Sequence, residues 1–465
     1  MRKFIFIVLS VLLLLSFIAL AYAEEPQIKL GGRILVRGWY FNGVDLTDGT
    51  YLPVANGHNT LLGEDVAFNS DAAALYTTNA YLTIDAKVTD NLQGYMELET
   101  ADNRYSTSGL YKWGNQDQKP AADLFFRQLW IQYTGSGLLG IPSGVKIGHQ
   151  LLTLGEKQFL NHERFGDDAI VLFVQPTKEL NIAGILGKLS EGSSSTGSWM
   201  DNTNDVDLYT ILATYKLDKD NTLGINYSFI NDSDLDLTFQ NVGLHANGLI
   251  AGALTYAAEF DTQFGHIYDK DSPLSGYNQL TFKGWGFMAK AGYKIDPVNL
   301  RASFAIGSGD NDSNDSNIRE FQFTGGSDAV SPLARFVHYT QIYERTVKTS
   351  AWEQGLTGNA STFPLRNTGI ANTTYYNLGA DIMATKDINL SLDGFILRAT
   401  KSLPDVEGSK GLGSELDFKG SYKITKNLTY FVEAGAFWPG GFYHDTYGIE
   451  DNNVTQLVHG INLTF

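Results

Sequence analysis

From residue 28 onward the chain repeats one pattern, in which apolar side chains alternate with polar or small ones before a turn or loop intervenes. Residues 223–229 run Leu, Gly, Ile, Asn, Tyr, Ser, Phe. Further on, Leu416, Phe418, Tyr422 and Ile424 alternate with Glu415, Asp417, Lys419, Ser421 and Lys423. Successive strand side chains point to opposite faces, so each such stretch has one apolar and one polar side. The last stretch, residues 455–465, shows it most plainly. Leu457, Ile461, Leu463 and Phe465 share one face, and Gln456, Gly460, Asn462 and Thr464 share the other. Its 11 residues match one membrane-crossing β-strand. A half-apolar edge strand at the end of a soluble domain would invite aggregation, whereas a closed barrel pairs it with the first strand.

The connections alternate in length. Short turns are expected at 89–90, 135–142, 175–178, 218–221, 246–248, 296–297, 386–387 and 425–426. Between them lie long polar loops at 42–71, 102–122, 153–166, 190–204, 263–277, 309–373, 401–413 and 439–454, with one short exception near 231–234. A soluble β-sandwich also alternates, but its connections follow no two-sided length rule. The pattern predicts an all-β, transmembrane antiparallel barrel with short periplasmic turns and long extracellular loops. Eight turn-linked hairpins plus one strand at each end give 18 strands. Residues 336–344 could pass for another strand; placing them in the longest loop keeps the count even, as single-chain bacterial barrels have it. With Phe465 at the periplasmic end, the closing strand should lie antiparallel to residues 28–41 and bring Asn462 and Gly460 beside Arg33 and Arg37.

Met1-Arg2-Lys3, an apolar run over 4–20 and Ala21-Tyr22-Ala23 read as a secretory signal peptide over 1–23, leaving 24–465 as a single barrel domain. Removing Arg2 and Lys3 moves the formal charge from −17 to −19. Such acidity excludes the basic face that nucleic acid requires. With no cysteine, disulfides and thiolate-held metals are also excluded. The 48 Gly, 24 Tyr and 27 Phe suit tight turns and interfacial aromatic girdles. Those girdles serve a monomer and a trimer equally, so the sequence leaves the oligomeric state undecided.

If the apolar positions face lipid, parity reads the lumen. It should be lined by Arg33, Arg37, Asp85, Glu97, Glu99, Lys146, Gln150, Arg301, Asp381, Asp393, Glu415, Asp417, Lys419 and Glu433. That acid-leaning set suits small polar or cationic solutes, although most such charges in a barrel simply pair across strands. Arg127 follows Phe125 and Phe126, so either parity is defensible. The third long loop carries Glu156, Lys157, His162, Glu163 and Arg164 as candidates for a constriction, with an ordinary exposed loop as the equal alternative. Asp310, Asp312 and Asp315 form an oxygen-rich run that could hold Ca2+, without EF-hand spacing. No other cofactor is expected. The eight histidines are scattered, with no metalloprotease, nucleophile-elbow or phosphate-loop motif, so no catalytic residue is assigned and the chain does not read as an enzyme.

The segment 144–155, Gly-Val-Lys-Ile-Gly-His-Gln-Leu-Leu-Thr-Leu-Gly, with Phe165-Gly166-Asp167-Asp168 after it, resembles the alginate-export family of bacterial outer-membrane porins. Ile306-Gly307-Ser308-Gly309-Asp310 is similar to a second feature of that family. The resemblance implies an 18-stranded barrel in the outer membrane, facing lipid and lipopolysaccharide and inserted by the assembly machinery that reads a terminal Phe465. It also implies an arginine-rich lumen that draws a polyanion, and here His149 stands where the family carries Arg. The leading expectation is therefore a water-filled channel for passive diffusion of small hydrophilic solutes. The alternatives are a specific channel for an acidic polysaccharide, and a plugged structural or interaction barrel.

Overall fold

The computed structural model describes residues 26–43, 72–102, 111–113, 122–137, 140–163, 165–191, 205–233, 236–268, 279–312, 315–325, 339–348, 365, 369–402, 408–447 and 452–465. The expected leader, residues 1–23, lies outside them, as does Arg164.

Eighteen long strands form the wall. In chain order they are β1 (Gln27–Asn42), β2 (Ala72–Lys87), β3 (Leu92–Asp102), β4 (Ala122–Gly135), β5 (Ser143–Gln150) and β6 (Asp167–Val174). Next come β7 (Leu180–Ser190), β8 (Val206–Lys216), β9 (Thr222–Asp232), β10 (Leu237–Ile250), β11 (Leu254–Tyr268) and β12 (Trp285–Ile295). The last six are β13 (Val298–Gly307), β14 (Thr373–Met383), β15 (Ile388–Ala399), β16 (Gly411–Lys423), β17 (Leu428–Pro439) and β18 (Val454–Thr464). Each pairs antiparallel with the next. Strand β18 closes the ring on β1 from Arg33 opposite Thr464 to Asn42 opposite Thr455. Arg37 lies opposite Gly460, and Arg33 Nε donates to Asn462 Oδ1 at 2.7 Å, so the seam has the expected register.

The outward positions are large and apolar. Ile211, Ile225, Leu378, Ile396 and Ile461 are all exposed, and their inward neighbours Thr210, Asn226, Asn377, Phe395 and Gly460 are buried. In lipid that exposure costs nothing, because the acyl chains are as apolar as the side chains they meet.

The periplasmic turns share a local chemistry. Thr177, Thr385 and Thr425 each turn the hydroxyl onto backbone N–H groups two and three residues ahead, and Asp218 does the same with its carboxylate. Such side chains stabilise tight turns by satisfying donors the ladder leaves over. One expected turn is displaced. Residues 246–248 stay in β10, and the reversal falls at Ala251 and Gly252, with φ 51° and 71°. Gly248 makes room for a neighbour instead, since a Cβ there would stand 2.1 Å from Asn221 Oδ1 in the adjoining turn.

Among the described residues, two extracellular connections fold back into the barrel, and the last extracellular connection adds Phe442 and Tyr443 to the buried core. In the longest, residues 339–348 are not strand: they bend and enter a short π-helix, Tyr343–Val347. The third long loop lays Leu160–Asn161 parallel to Thr324–Gly325 of the longest one. Together they bury an apolar core inside the wall. Phe159 stacks on Phe239 at 5.9 Å, and Tyr343 packs against Tyr375 at 6.0 Å and Phe437 at 5.9 Å. Much of the interior is thus packed like a soluble protein.

Candidate functional site: the part of the lumen left open

All fourteen residues placed in the lumen by parity project from inward-facing positions, but their surroundings divide them into groups. Arg301 is held between Asp381 and Asp393, with Nε and Nη2 each 2.8 Å from a carboxylate oxygen. Glu415 and Asp417 are taken up by the inward segment. Glu415 accepts the backbone N–H groups of Gln341, Ile342 and Tyr343 at 2.8, 2.6 and 2.8 Å, and Asp417 accepts that of Gln341 at 3.0 Å. Glu99 is sealed behind the wall beside Asn79. Gln150 is buried on the carbonyl of Ala169 at 2.9 Å. Nearer the periplasm, Asp85 accepts from Gln93 at 2.7 Å, and the Lys146 ammonium lies 4.1 Å from the centre of the Trp130 ring. Lys419 stands directly opposite Glu433 on the neighbouring strand.

The remaining charges share one cavity of about 720 Å³ against β1–β4, β17 and β18. Arg33, Arg37, Arg127, Glu97 and Glu433 line it beside Trp39, Tyr81 and Phe431. It follows β1 from Gly31 to Trp39, roughly 26 Å at about 3.3 Å per residue. The guanidinium of Arg33 lies over Tyr81 at 5.6 Å and that of Arg37 over Trp39 at 5.3 Å, arrangements that hold a cation in place beside a polar passage.

Arg127 enters this cavity through a break in the ladder. Leu124 and Phe126 face outward before it and Leu129 and Ile131 after it, so the parity changes between them. Register with β3 shifts between Glu97 and Leu98, which marks a β-bulge. Arg127 Nη1 therefore meets Glu97 at 3.0 Å while Gln128 Nε2 reaches the same carboxylate at 2.7 Å. Phe125 and Phe126 themselves alternate normally, Phe126 outward and Phe125 against Phe165, and the extra residue of the bulge is Arg127, which sequence parity had no means to show.

The third long loop crosses the lumen. The Glu156 N–H donates to Glu259 on β11, and Asn247 of β10 donates to Glu156 Oε1 at 2.9 Å. Lys157 pairs with Glu163, His162 bridges Asp167 and Thr324, and the Glu163 carbonyl accepts from Arg127 Nη2 at 2.6 Å. His149 points the other way: it lies opposite Leu129 on the outward face and pairs with Asp168 at 3.0 Å. The position where the family carries Arg is thus not part of this lumen.

The acidic run 310–315 has its own cation. Arg319 bonds both Asp310 and Asp315, and holds the Asp315 carboxyl down to about 2. Asp312 bonds Asp310 through its backbone N–H. A guanidinium thus already engages two of the three carboxylates proposed for Ca2+.

The family model for alginate export matches residues 71–456. Among solved structures, OccK8 (OprE) of Pseudomonas aeruginosa is similar at 12% identity, with 96% of this chain and 99% of that chain covered and a TM-score of 0.51. OpdK of Pseudomonas aeruginosa, solved with vanillate, also has 12% identity, with 94% and 99% covered and a TM-score of 0.51. OccAB2 of Acinetobacter baumannii has 14% identity, with 94% and 98% covered and a TM-score of 0.51. At such identities these structures speak for the barrel alone. No curated protein matches the chain by sequence. An 18-stranded wall with a lipid-facing outer surface and a family match over most of its length make this an outer-membrane barrel of porin type, and the chain belongs to the alginate export family.

Proposed function

We propose that the protein is a selective diffusion channel for small hydrophilic solutes, and that they pass along the sector formed by β1–β4, β17 and β18. The observation that carries this reading is the cavity of about 720 Å³ lined by charged and aromatic side chains beside an interior that, among the described residues, is packed by inward-folded connections. Three guanidiniums against two carboxylates in that lining favour small anions over cations. OpdK, similar in fold, was solved with vanillate, a small aromatic carboxylate, which makes vanillate a suitable probe here. The extent of the inner packing disfavours a polymer route. The protein has no enzymatic role in this reading, and its partners are the lipid and lipopolysaccharide around it and the solute inside.

Purified protein in a planar bilayer tests this. Discrete ion-conducting steps that vanillate reduces and oligouronates leave unchanged are the expected result. A barrel that never conducts would instead favour the plugged interaction barrel, for which the apolar inner core speaks. Block by oligouronates would favour the polysaccharide channel.

A further inference from the structure

Beneath the tip of the third long loop, three neighbouring strands carry buried polar groups that the wall leaves without partners. Glu259 and Asp261 stand two residues apart on β11, face inward together, and are 2% and 1% exposed. Glu259 Oε2 accepts the Glu156 N–H, and Asp261 Oδ1 accepts from Asn241 Nδ2 at 2.8 Å. Glu259 Oε1, Asp261 Oδ2, Asn241 Oδ1 and both head-group atoms of Asn226 are buried with no hydrogen-bond partner among the described residues. Asn226, only 2% exposed, comes from β9 and is no part of the acidic pair. Cross-strand register places Gly243 between Asn226 and Asp261. A Cβ on Gly243 would stand 2.5 Å from Asn226 Nδ2 and 2.7 Å from Asp261 Oδ1. Both head groups therefore lean over one glycine, above a floor that has no side chain.

Two adjacent carboxylates at this depth repel each other and lose hydration, which disfavours their charged forms unless a cation offsets it. Neither has an ion-pair partner within 4.0 Å among the described residues. Lys290, on β12, lies instead over the Tyr339 ring at 5.5 Å. A proton shared between the carboxylates would satisfy one oxygen of each, and would still leave Asn241 Oδ1 and both head-group atoms of Asn226 without partners. Two carboxylate and two amide oxygens are the donor set of a hard cation. Ca2+ accepts such irregular sets and completes them with water, whereas Mg2+ demands a regular octahedron. No three carboxylate or imidazole groups converge among the described residues, so the amides are needed to make the site.

We propose that Glu259, Asp261, Asn241 and Asn226 form a binding site for a divalent cation of the calcium class inside the barrel. The ion neutralises the acidic pair and holds Glu259 as acceptor for the Glu156 N–H, so it fixes the tip of the inward loop. This site does not depend on what the channel conducts.

Calcium chloride titrated calorimetrically into EDTA-stripped full-length protein in detergent is the test, with heat-modifiable gel mobility reporting that each variant is a folded barrel. One calcium per chain is expected. It should be lost in Glu259→Gln/Asp261→Asn and weakened in Asn226→Leu, which keeps both carboxylates. Gly243→Ala should also lose it, because the added methyl group displaces two of the donors. Asp310→Asn/Asp315→Asn should retain it. Absence of calcium uptake by the folded wild-type protein, or uptake unchanged in the Glu259→Gln/Asp261→Asn barrel, overturns the proposal.

Discussion

At the scale of single residues, the most informative side chain is one that parity could not place. Arg127 lines the open sector as the extra residue of the bulge opposite Glu97 and Leu98, and it binds both the Glu97 carboxylate and the Glu163 carbonyl of the crossing loop. Arg127→Ala leaves a mostly buried carboxylate without its cation, a change worth roughly 3 kcal/mol against loop docking. Reversal potentials in a salt gradient should move toward cation preference, and Arg127→Lys, a point charge without the fork, should fall between. Glu344 gives a second prediction. It lies on the inward segment, where burial pushes its carboxyl up to about 7, opposed only in part by the Thr340 and Tyr339 N–H groups and by Lys348 and Lys290. An acid whose folded value exceeds its free value of 4.5 prefers the neutral form in the docked segment. Docking is therefore strongest below that free value, weakens as pH rises through about 7, and is weakest above. Channel openings should be more frequent at alkaline than at mildly acidic pH, and Glu344→Gln should flatten that dependence.

Elements differ in how far the sequence announces them. Wall strands were legible because lipid outside and a polar or packed interior impose a period of two on every one of them. The Thr-Lys turns were legible for an equally local reason, a side chain that caps the reversal. The inward segment was not. Residues 336–344 could pass for a strand or for part of the longest loop, and what decides the conformation of 339–343 is far away in the chain. Glu415 and Asp417 on β16 collect the N–H groups of 341–343 and so fix the start of the π-helix. Long-range acceptors of this kind leave no periodic trace. Glu415→Ala would take the acceptor from the buried Ile342 and Tyr343 N–H groups and leave Gln341 to Asp417 alone, at about 1–3 kcal/mol for each group left unsatisfied. Single-channel recordings should then show a larger or noisier open state, and protease added from outside should nick the longest loop faster. Unchanged recordings would mean that the inner aromatic packing of Tyr343 against Tyr375 and Phe437 suffices to hold the segment.

For the molecule as a whole, the closing seam followed from the last strand alone, because a barrel permits only one partner for it. The Phe465 main chain continues that ladder onto Gly32, with N–O distances of 2.9 and 3.1 Å. Charge selectivity could not be read the same way. Counting inward residues gives an acid-leaning lumen, yet a sum over the ring treats every charge as facing the same water. Asp381 and Asp393 share Arg301, and Glu415 and Asp417 are taken up by backbone donors, so four of the acids are engaged in holding the fold. Among the groups lining the open cavity, Arg33, Arg37 and Arg127 face Glu97 and Glu433. Low-dielectric walls make such local charges outweigh distant paired ones. The protein should therefore be mildly anion-selective in spite of a formal charge of −17. Arg33→Gln/Arg37→Gln should reverse the sign of the zero-current potential in a potassium chloride gradient, since two of three guanidiniums are gone and both carboxylates remain. Asp381→Asn/Asp393→Asn removes the same number of charges from β14 and β15, outside that sector, and should leave that potential nearly unchanged. Equal and opposite shifts from the two variants would mean that solutes sample the whole ring, and the confinement of the path to the β1–β4, β17 and β18 sector would fall with that result.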